Sequence, residues 1–550
     1  MWLEHGQKLS ALQKAWFMAV KVLSGTKPSL YNFQGCLPSL PVPNLRSTTT
    51  KWLASVKPML DDKEYKEMED KVASFHKNEG WKLQIFLFVQ SLYKTSWLWD
   101  WWEKYVYLRG RAPIMINSNY YVIDSLDWVP TGNQAARTAG LLNQADKFKA
   151  LVDWERLEPM RLQKTIPWCM KQYERIFDTT RVPGKECDVV VHYELDPQRY
   201  CAVTRKGVWY KLPMTVKGAN GQWRTALPHE LEKKIEWIIQ DADANPAGPG
   251  EDALAALTGW HRGRWAESRE DHFWEGVNRE SLDIVERAFM HFALEDKSPN
   301  SMTDHARKLM HADGKTIWFD KSVTFMSFPD GHSGLSAEHS YADALTVAHM
   351  WEWVTTGERL QGGIYRDDGH CRGYGDSAFE QVALANPKRL GWSVTPPMRK
   401  SIDEALAHNT ELIADLDLNV FKHDAFGKGF MKKARISPDA FFQIAMQLAY
   451  KMDAGKRALT YEASVTRLFA QGRTETVRSL SIESAAFVDA MLDKSASDKD
   501  RVAALRAAAD KHASLYKHAM VGQGIDRHLF GAPPPLPYPC HPPRLAAGAC

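Results

Sequence analysis

The sequence predicts an α/β (α+β) protein built as two domains. Its 550 residues exceed what one hydrophobic core ordinarily organises, so two cores of a few hundred residues each are expected. Stretches with helical apolar spacing alternate with short strand-like runs along the chain. With 44% hydrophobic and 25% charged residues, the composition is that of a globular protein.

Taken in order, the segments support this fold class. Residues 11–24 are apolar on one face and interrupted by Gln13, Lys14 and Lys21. They read as an amphipathic helix, lacking the charge layout and cleavage site of a secretory signal. The run Leu37-Pro38-Ser39-Leu40-Pro41-Val42-Pro43 must be extended, because proline bars the residue before it from the helical region. Residues 47–102 show helical spacing with mixed charge. Residues 106–123 read as strand, with Ile114, Met115, Ile116, Tyr121, Val122 and Ile123 between turn formers. Several short strands are expected over 165–235, a polar connector over 241–252, and helix again over 281–294. Residues 318–328 predict a buried strand closed by the turn Pro329-Asp330-Gly331. A helix over 339–353, ending before Gly357, follows. Helical pattern stops at 390–397, where Pro396-Pro397 marks the expected domain crossing. Residues 437–453 carry the strongest helix signals: Ser437 as cap, Pro438 at the first position, Asp439 at the positive end and Gly455 as terminator. The Pro- and Ala-rich residues 531–550 read as disordered.

The totals exclude several function classes. Seventy basic against 67 acidic side chains leave a formal charge of +3, which argues against a dedicated nucleic-acid binder. No stretch reaches the roughly 18–20 apolar residues needed to cross a bilayer. The seven cysteines are scattered and form no CxxC pair. No metal site is expected, because His305, His311, His339 and His349 miss ligand spacings and Asp367-Asp368-Gly369-His370-Cys371 lacks companions. P-loop, dinucleotide and G-x-S-x-G signatures are absent.

Three segments carry candidate chemistry. In Glu338-His339-Ser340-Tyr341-Ala342-Asp343 a His-x-x-x-Asp spacing would place a carboxylate one helical turn from an imidazole, where it could orient the ring and favour its protonated form. A surface histidine beside a helix carboxylate has the same spacing. Phe426-Gly427-Lys428-Gly429-Phe430-Met431-Lys432-Lys433-Ala434-Arg435 brings four cations onto a glycine-containing loop before a helix, a receptor suited to a phosphate such as the CoA 3′-phosphate. A solvated basic loop explains it as well. Hydroxyls and arginines recur in Thr460-Tyr461-Glu462-Ala463-Ser464 and Gly472-Arg473-Thr474-Glu475-Thr476-Val477-Arg478-Ser479, able to bind a carboxylate or merely to form a turn.

Together with SLPVPNL, WWEKYVYLRGRAPIMINSNYY, WFDKSVTF, LTYEASVTRLF and GIDRHLF, these segments resemble, in order, signatures of the choline/carnitine O-acyltransferase family, and within it the long-chain, mitochondrial outer-membrane branch. The resemblance runs from about residue 2 to Phe530. It implies two chloramphenicol-acetyltransferase-like domains with a central active-site tunnel. The implied segments are an N-terminal helix and extended stretch (1–46), an acyltransferase domain with the histidine (47–395), a partial second domain (396–530) and a divergent tail (531–550).

The implied reaction moves a long-chain acyl group from CoA to the carnitine 3-hydroxyl, for mitochondrial fatty-acid import and oxidation, without an acyl-enzyme. His339 would be the general base and Asp343 its acidic support. Tyr107, Tyr461, Thr474 and Arg527 match carnitine-binding positions. Lys428, Lys432 and Asp439 match positions that hold CoA. An arginine at 527 faces the carboxylate that choline lacks, so carnitine is favoured. CoA and carnitine are substrates; no cofactor, metal or nucleic acid is expected, and an oligomer stays open. Members of this branch carry two membrane helices before the catalytic region and run on past the position of Phe530 for about a hundred residues, the size of a small domain core. That stretch holds a Ser-Thr-Ser motif supporting the oxyanion, and loss of one such donor costs on the order of 10² to 10³ in turnover. The implied location is the cytosolic face of the mitochondrial outer membrane, or the cytoplasm if the chain is complete. Two other readings are a catalytically silent protein binding acyl-CoA or malonyl-CoA through the Lys428 loop, and a short- or medium-chain carnitine acyltransferase.

Overall fold

The computed structural model describes residues 11–23, 28–124, 128–193, 196–218, 221–360, 363–373 and 383–531. The tail expected to be disordered lies outside these, apart from Gly531. The chain divides into two compact units. Among the described residues, one gathers those up to Trp102, the stretch Glu158–Lys171 and those from Lys422 to Gly531. The other comprises Glu103–Leu157 and Gln172–Phe421.

The second of these is built on a seven-stranded sheet. Its strands are β1 (Tyr120–Ile123), β2 (Tyr200–Arg205), β3 (Val208–Pro213), β4 (His291–Leu294), β5 (Val323–Ser327), β6 (Ser333–Ala337) and β7 (Lys388–Arg389), in spatial order β1-β6-β5-β4-β2-β3-β7. The central strands β2, β4 and β5 run parallel and are buried on both faces. The other neighbours pair antiparallel. Alternation along β5 shows why: Phe325 meets Trp351 edge-on, while Met326 joins Ile114, Met115 and Leu309 in a core cluster. The nearly wholly buried helix Gln134–Asp153 starts from Asn133, whose side chain accepts the Ala136 N–H.

Several expectations need correction. Within 106–123 only Tyr120–Ile123 is strand; Trp102–Leu108 and Ile114–Asn117 are helical turns, because Ile114 and Met115 reach the core from one turn after Pro113. The helix expected over 281–294 runs Gly276–Arg287, breaks at extended Ala288, and gives way to strand β4. The helix expected from His339 spans Ala344–Leu360 and passes through Gly357. A Cβ at 357 would lie 2.4 Å from Gln144 Oε1, so glycine there serves a close helix approach and not a helix stop. Pro396 opens a helix, Pro396–Asp415, capped by Thr395 and packed through Met398, Ile402 and Ala405 into a core with Trp265 and Trp318.

The other unit is mainly helical. Helices Leu45–Val56, Asp62–Phe75 and Trp81–Tyr93 occupy its N-terminal part, as their spacing predicts. The Pro-rich run is extended, and its carbonyls are used: Leu40 O accepts from Trp97 Nε1 (3.0 Å) and Pro38 O from Ala470 N (2.9 Å). Helix Pro438–Ala454 matches its sequence signals and ends at Gly455 (φ 67°), but the Ser437 side chain makes no capping hydrogen bond. It packs through Ala440 and Ile444 on Phe487, Val488, Ala508 and Ala509. A two-stranded sheet, β8 (Glu462–Val465) and β9 (Thr474–Val477), completes the unit. No described helix is long and apolar enough to cross a membrane.

Candidate functional site

Strand β6 ends at Ala337, and the chain leaves the sheet as Glu338-His339. Register sets the surroundings of the imidazole. Tyr120 of β1 lies opposite Ala337, and its ring meets the His339 ring edge-on at 4.8 Å between centroids. Tyr107 approaches the same ring at 5.2 Å. The sequence-predicted residues His339, Asp343 and Tyr107 therefore belong to one unit, and His339 is half-buried. The one-turn helical relation between His339 and Asp343 does not hold, because both precede the helix. His339 Nδ1 lies 3.2 Å from the Ala342 carbonyl. A carbonyl only accepts, so Nδ1 carries the proton in this contact and the neutral ring keeps its lone pair on Nε2.

A buried ion network holds this segment in place. Glu338 accepts from Arg181 Nη1 (2.9 Å), and Arg181 Nη2 donates to the Tyr107 carbonyl (2.6 Å). Arg181 also reaches Asp188 (2.8 Å), on which Arg111 (2.9 Å) and Arg262 (2.7 Å) converge. Burial opposes ionisation of Asp188, but the guanidinium groups of Arg262, Arg181 and Arg111 outweigh it and hold its carboxyl below the usual range. Arg262 continues to Asp320 (2.6 Å), whose carboxyl burial pushes up to about 6. Apart from Glu338, which belongs to the His339 segment, none of these charged residues was read as part of a site in the sequence, where Arg181 and Glu338 alone lie 157 positions apart.

The remaining candidates lie in the other unit. Arg527, on the short helix Asp526–Phe530, is buried and held at each of its three guanidinium nitrogens. Its Nε donates to the Thr474 carbonyl (2.8 Å), Nη1 to Thr476 Oγ1 (3.1 Å), and Nη2 to Thr474 Oγ1 (3.0 Å) and Tyr461 OH (3.3 Å). The guanidinium lies 3.8 Å from the centre of the Trp102 ring, a cation–π contact that fixes its plane. The structure thus brings Tyr461, Thr474 and Arg527 together with Thr476 of the same hydroxyl-rich segment, and it adds Trp102, to which the sequence reading gave no role. Beneath them Glu475 is buried, its carboxyl raised to about 7 by burial against the opposing pull of Arg527. A Cβ on Gly524 would fall 2.2 Å from the Glu475 side chain, so only glycine fits there.

Lys428 and Lys432 project from the exposed short helix Lys428–Lys433, and exposed Asp439 sits in the first turn of the next helix. A cavity of about 400 Å³ beside Tyr461 is lined by Met446, Tyr450, Leu459, Thr460 and Val488. One stretch does have the companions its local sequence lacks. Glu232 and Glu236 face His370, with ligand-type atoms within 4.8 Å of one another. His370 Nδ1 and Glu232 Oε1 form an ion pair at 2.5 Å, and this hydrogen bond raises the imidazole pKa.

Residues 40–532 match the family model described as Choline/Carnitine o-acyltransferase. The chain is 42% identical over 539 residues to the liver isoform of carnitine O-palmitoyltransferase 1 from Homo sapiens, covering 96% of this chain and 68% of that protein. Identity to the human muscle isoform is 42% over 533 residues, covering 96% and 67%. It is 30% over 549 residues to carnitine O-acetyltransferase from Columba livia, covering 96% and 83%.

Proposed function

Because this chain belongs to the choline/carnitine O-acyltransferase family, we propose that it acts as a carnitine O-palmitoyltransferase, moving a long-chain acyl group from CoA to the carnitine 3-hydroxyl. The observation that carries the mechanism is the Nδ1 contact of His339 with the Ala342 carbonyl, which leaves Nε2 as the basic atom. Nε2 takes the proton of the carnitine hydroxyl as its oxygen attacks the thioester carbonyl. The imidazolium then returns that proton to the departing CoA thiolate, so no acyl-enzyme forms. A base so placed contributes about 10² to 10⁴ in rate.

Arg527, Thr474 and Tyr461 present a guanidinium and two hydroxyls within one hydrogen-bonded cluster, chemistry suited to the carnitine carboxylate. Asp343 supports the His339 segment, and Tyr107 packs against the His339 ring. Lys428 and Lys432 are read as facing CoA phosphates, with Asp439 beside them. The preference for a long chain rests on the 42% identity to palmitoyltransferases against 30% to an acetyltransferase. The same resemblance supports a place on the cytosolic face of the mitochondrial outer membrane.

The test is carnitine-dependent release of CoA thiol from palmitoyl-CoA and, in parallel, from acetyl-CoA. Wild-type protein should turn over palmitoyl-CoA faster, and His339→Ala should abolish turnover. Undiminished transfer by His339→Ala would overturn the mechanism; faster transfer from acetyl-CoA would overturn the chain-length reading.

A further inference from the structure

Gln172, on the helical turn Lys171–Arg175, is 1% exposed, and every polar atom of its side chain ends on the segment that follows His339. Oε1 accepts the Asp343 N–H (3.0 Å) and the Thr346 hydroxyl (2.8 Å), while Nε2 donates to Asp343 Oδ2 (2.9 Å). The chemistry fixes the amide orientation, since a carboxylate only accepts and an N–H only donates. The Asp343 N–H and the Ala342 carbonyl are opposite ends of one peptide unit, which is planar and rigid. One end of that plane is tied to Gln172. The other end holds His339 Nδ1 at 3.2 Å.

We propose that Gln172 is a positioning residue for acyl transfer: by clamping the Ala342–Asp343 peptide plane it fixes the acceptor that keeps His339 in its Nδ1–H tautomer, with Nε2 as the base. The inference rests on the reading of His339 as that base. Gln172 touches no reacting atom; it acts through one peptide group, as second partners of metal-bound or triad histidines act through a hydrogen bond. The plain alternative is that Gln172 only anchors the start of helix Ala344–Leu360. Thr346 separates the two roles, because it bonds Gln172 from the helix without belonging to the peptide plane.

The full chain is studied as Gln172→Met, which has similar length but neither donor nor acceptor, and as Thr346→Val. Turnover with palmitoyl-CoA and carnitine is measured beside ¹⁵N spectra of the His339 ring. For Gln172→Met, kcat should fall about tenfold, the rate equivalent of one ordinary hydrogen bond, with both KM values unchanged. The ring resonances should move from the Nδ1–H pattern toward a mixture of tautomers. Thr346→Val should leave kcat and the ring pattern as in wild type. If Gln172→Met does not fold, Gln172→Asn keeps an amide but is one methylene too short to reach the Asp343 N–H, and it is expected to show the same mixture of tautomers; an unchanged Nδ1–H pattern there would refute the clamp. Equal loss in Thr346→Val, or an unchanged ring pattern in Gln172→Met, would reduce Gln172 to a helix anchor. His339→Ala separates the failures: if it still transfers acyl groups, the base assignment is wrong. If it is silent while Gln172→Met runs at full rate, only the clamp is wrong.

Discussion

Replacing Asp188 by asparagine tests whether the buried ion network holds the unit that carries His339. The carboxylate receives Arg111, Arg181 and Arg262 at 2.7–2.9 Å, and it is fully buried. Asparagine keeps the shape and an acceptor oxygen but removes the charge. Arg181 and Arg262 would then keep Glu338 and Asp320, while Arg111 would be left on the backbone carbonyls of Leu108, Arg109 and Gly184. Breaking a buried pair by removing one partner costs about 3–5 kcal/mol, because the stranded charge cannot recover its hydration. The unit holds about 300 residues, which at ~2.1 cal/mol/K per residue gives a melting entropy of roughly 0.6 kcal/mol/K. Scanning calorimetry of Asp188→Asn should therefore show that unit melting about 5–8 °C lower than in wild type. Adding Arg262→Met, which removes one of the three cations, should recover part of the loss. Melting within about 1 °C of wild type would show that the network does not hold the unit in this way.

Two further outcomes are expected. Glu475 has its pKa raised from 4.5 to about 7, so the folded state keeps a proton that the unfolded chain releases, and stability falls as pH rises through that window by up to roughly 3 kcal/mol. Denaturant titrations should show Glu475→Gln losing this slope between about pH 5 and 7; equal slopes in both proteins would contradict it. Changing both Lys428 and Lys432 to glutamine should weaken CoA binding about fivefold at low ionic strength and much less at 0.5 M salt, whereas a salt-independent loss would point to packing.

Segments whose structure follows from local pattern were legible in the sequence. Proline at the first turn and Gly455 in the left-handed region bound helix Pro438–Ala454, and β-branched residues beside a Pro-Asp-Gly turn bound strand β5. The misread segments share a cause. Apolar runs such as Ile114-Met115-Ile116 fit one helical turn or a strand equally well, and long-range packing decides. The residues 339–343 carry a helical spacing, yet main-chain and side-chain bonds from Gln172 hold them outside the helix. Motif order supplied Tyr461, Thr474 and Arg527, but Trp102 stacks on Arg527 from 425 positions away, and no local periodicity signals that contact. Asp188, Arg181 and Gln172 escaped notice for the same reason.

The two clusters share one device. His339 Nδ1 is met by the Ala342 carbonyl, and Arg527 Nε donates to the Thr474 carbonyl. A backbone acceptor neither titrates nor changes rotamer, so it orients a side chain without adding a charge whose state varies with pH. The accompanying acids are buried and act at a remove: Arg181 joins Glu338 to the Tyr107 carbonyl, and Glu475 bonds the N–H groups of Thr476 and Arg527 instead of the guanidinium. In each cluster the orienting contact is thus made to a neutral acceptor. The arrangement also predicts where damage should show. Substitutions that free a peptide plane, as at Gln172, should cost turnover before stability, while those that strand a buried charge, as at Asp188, should cost stability before turnover.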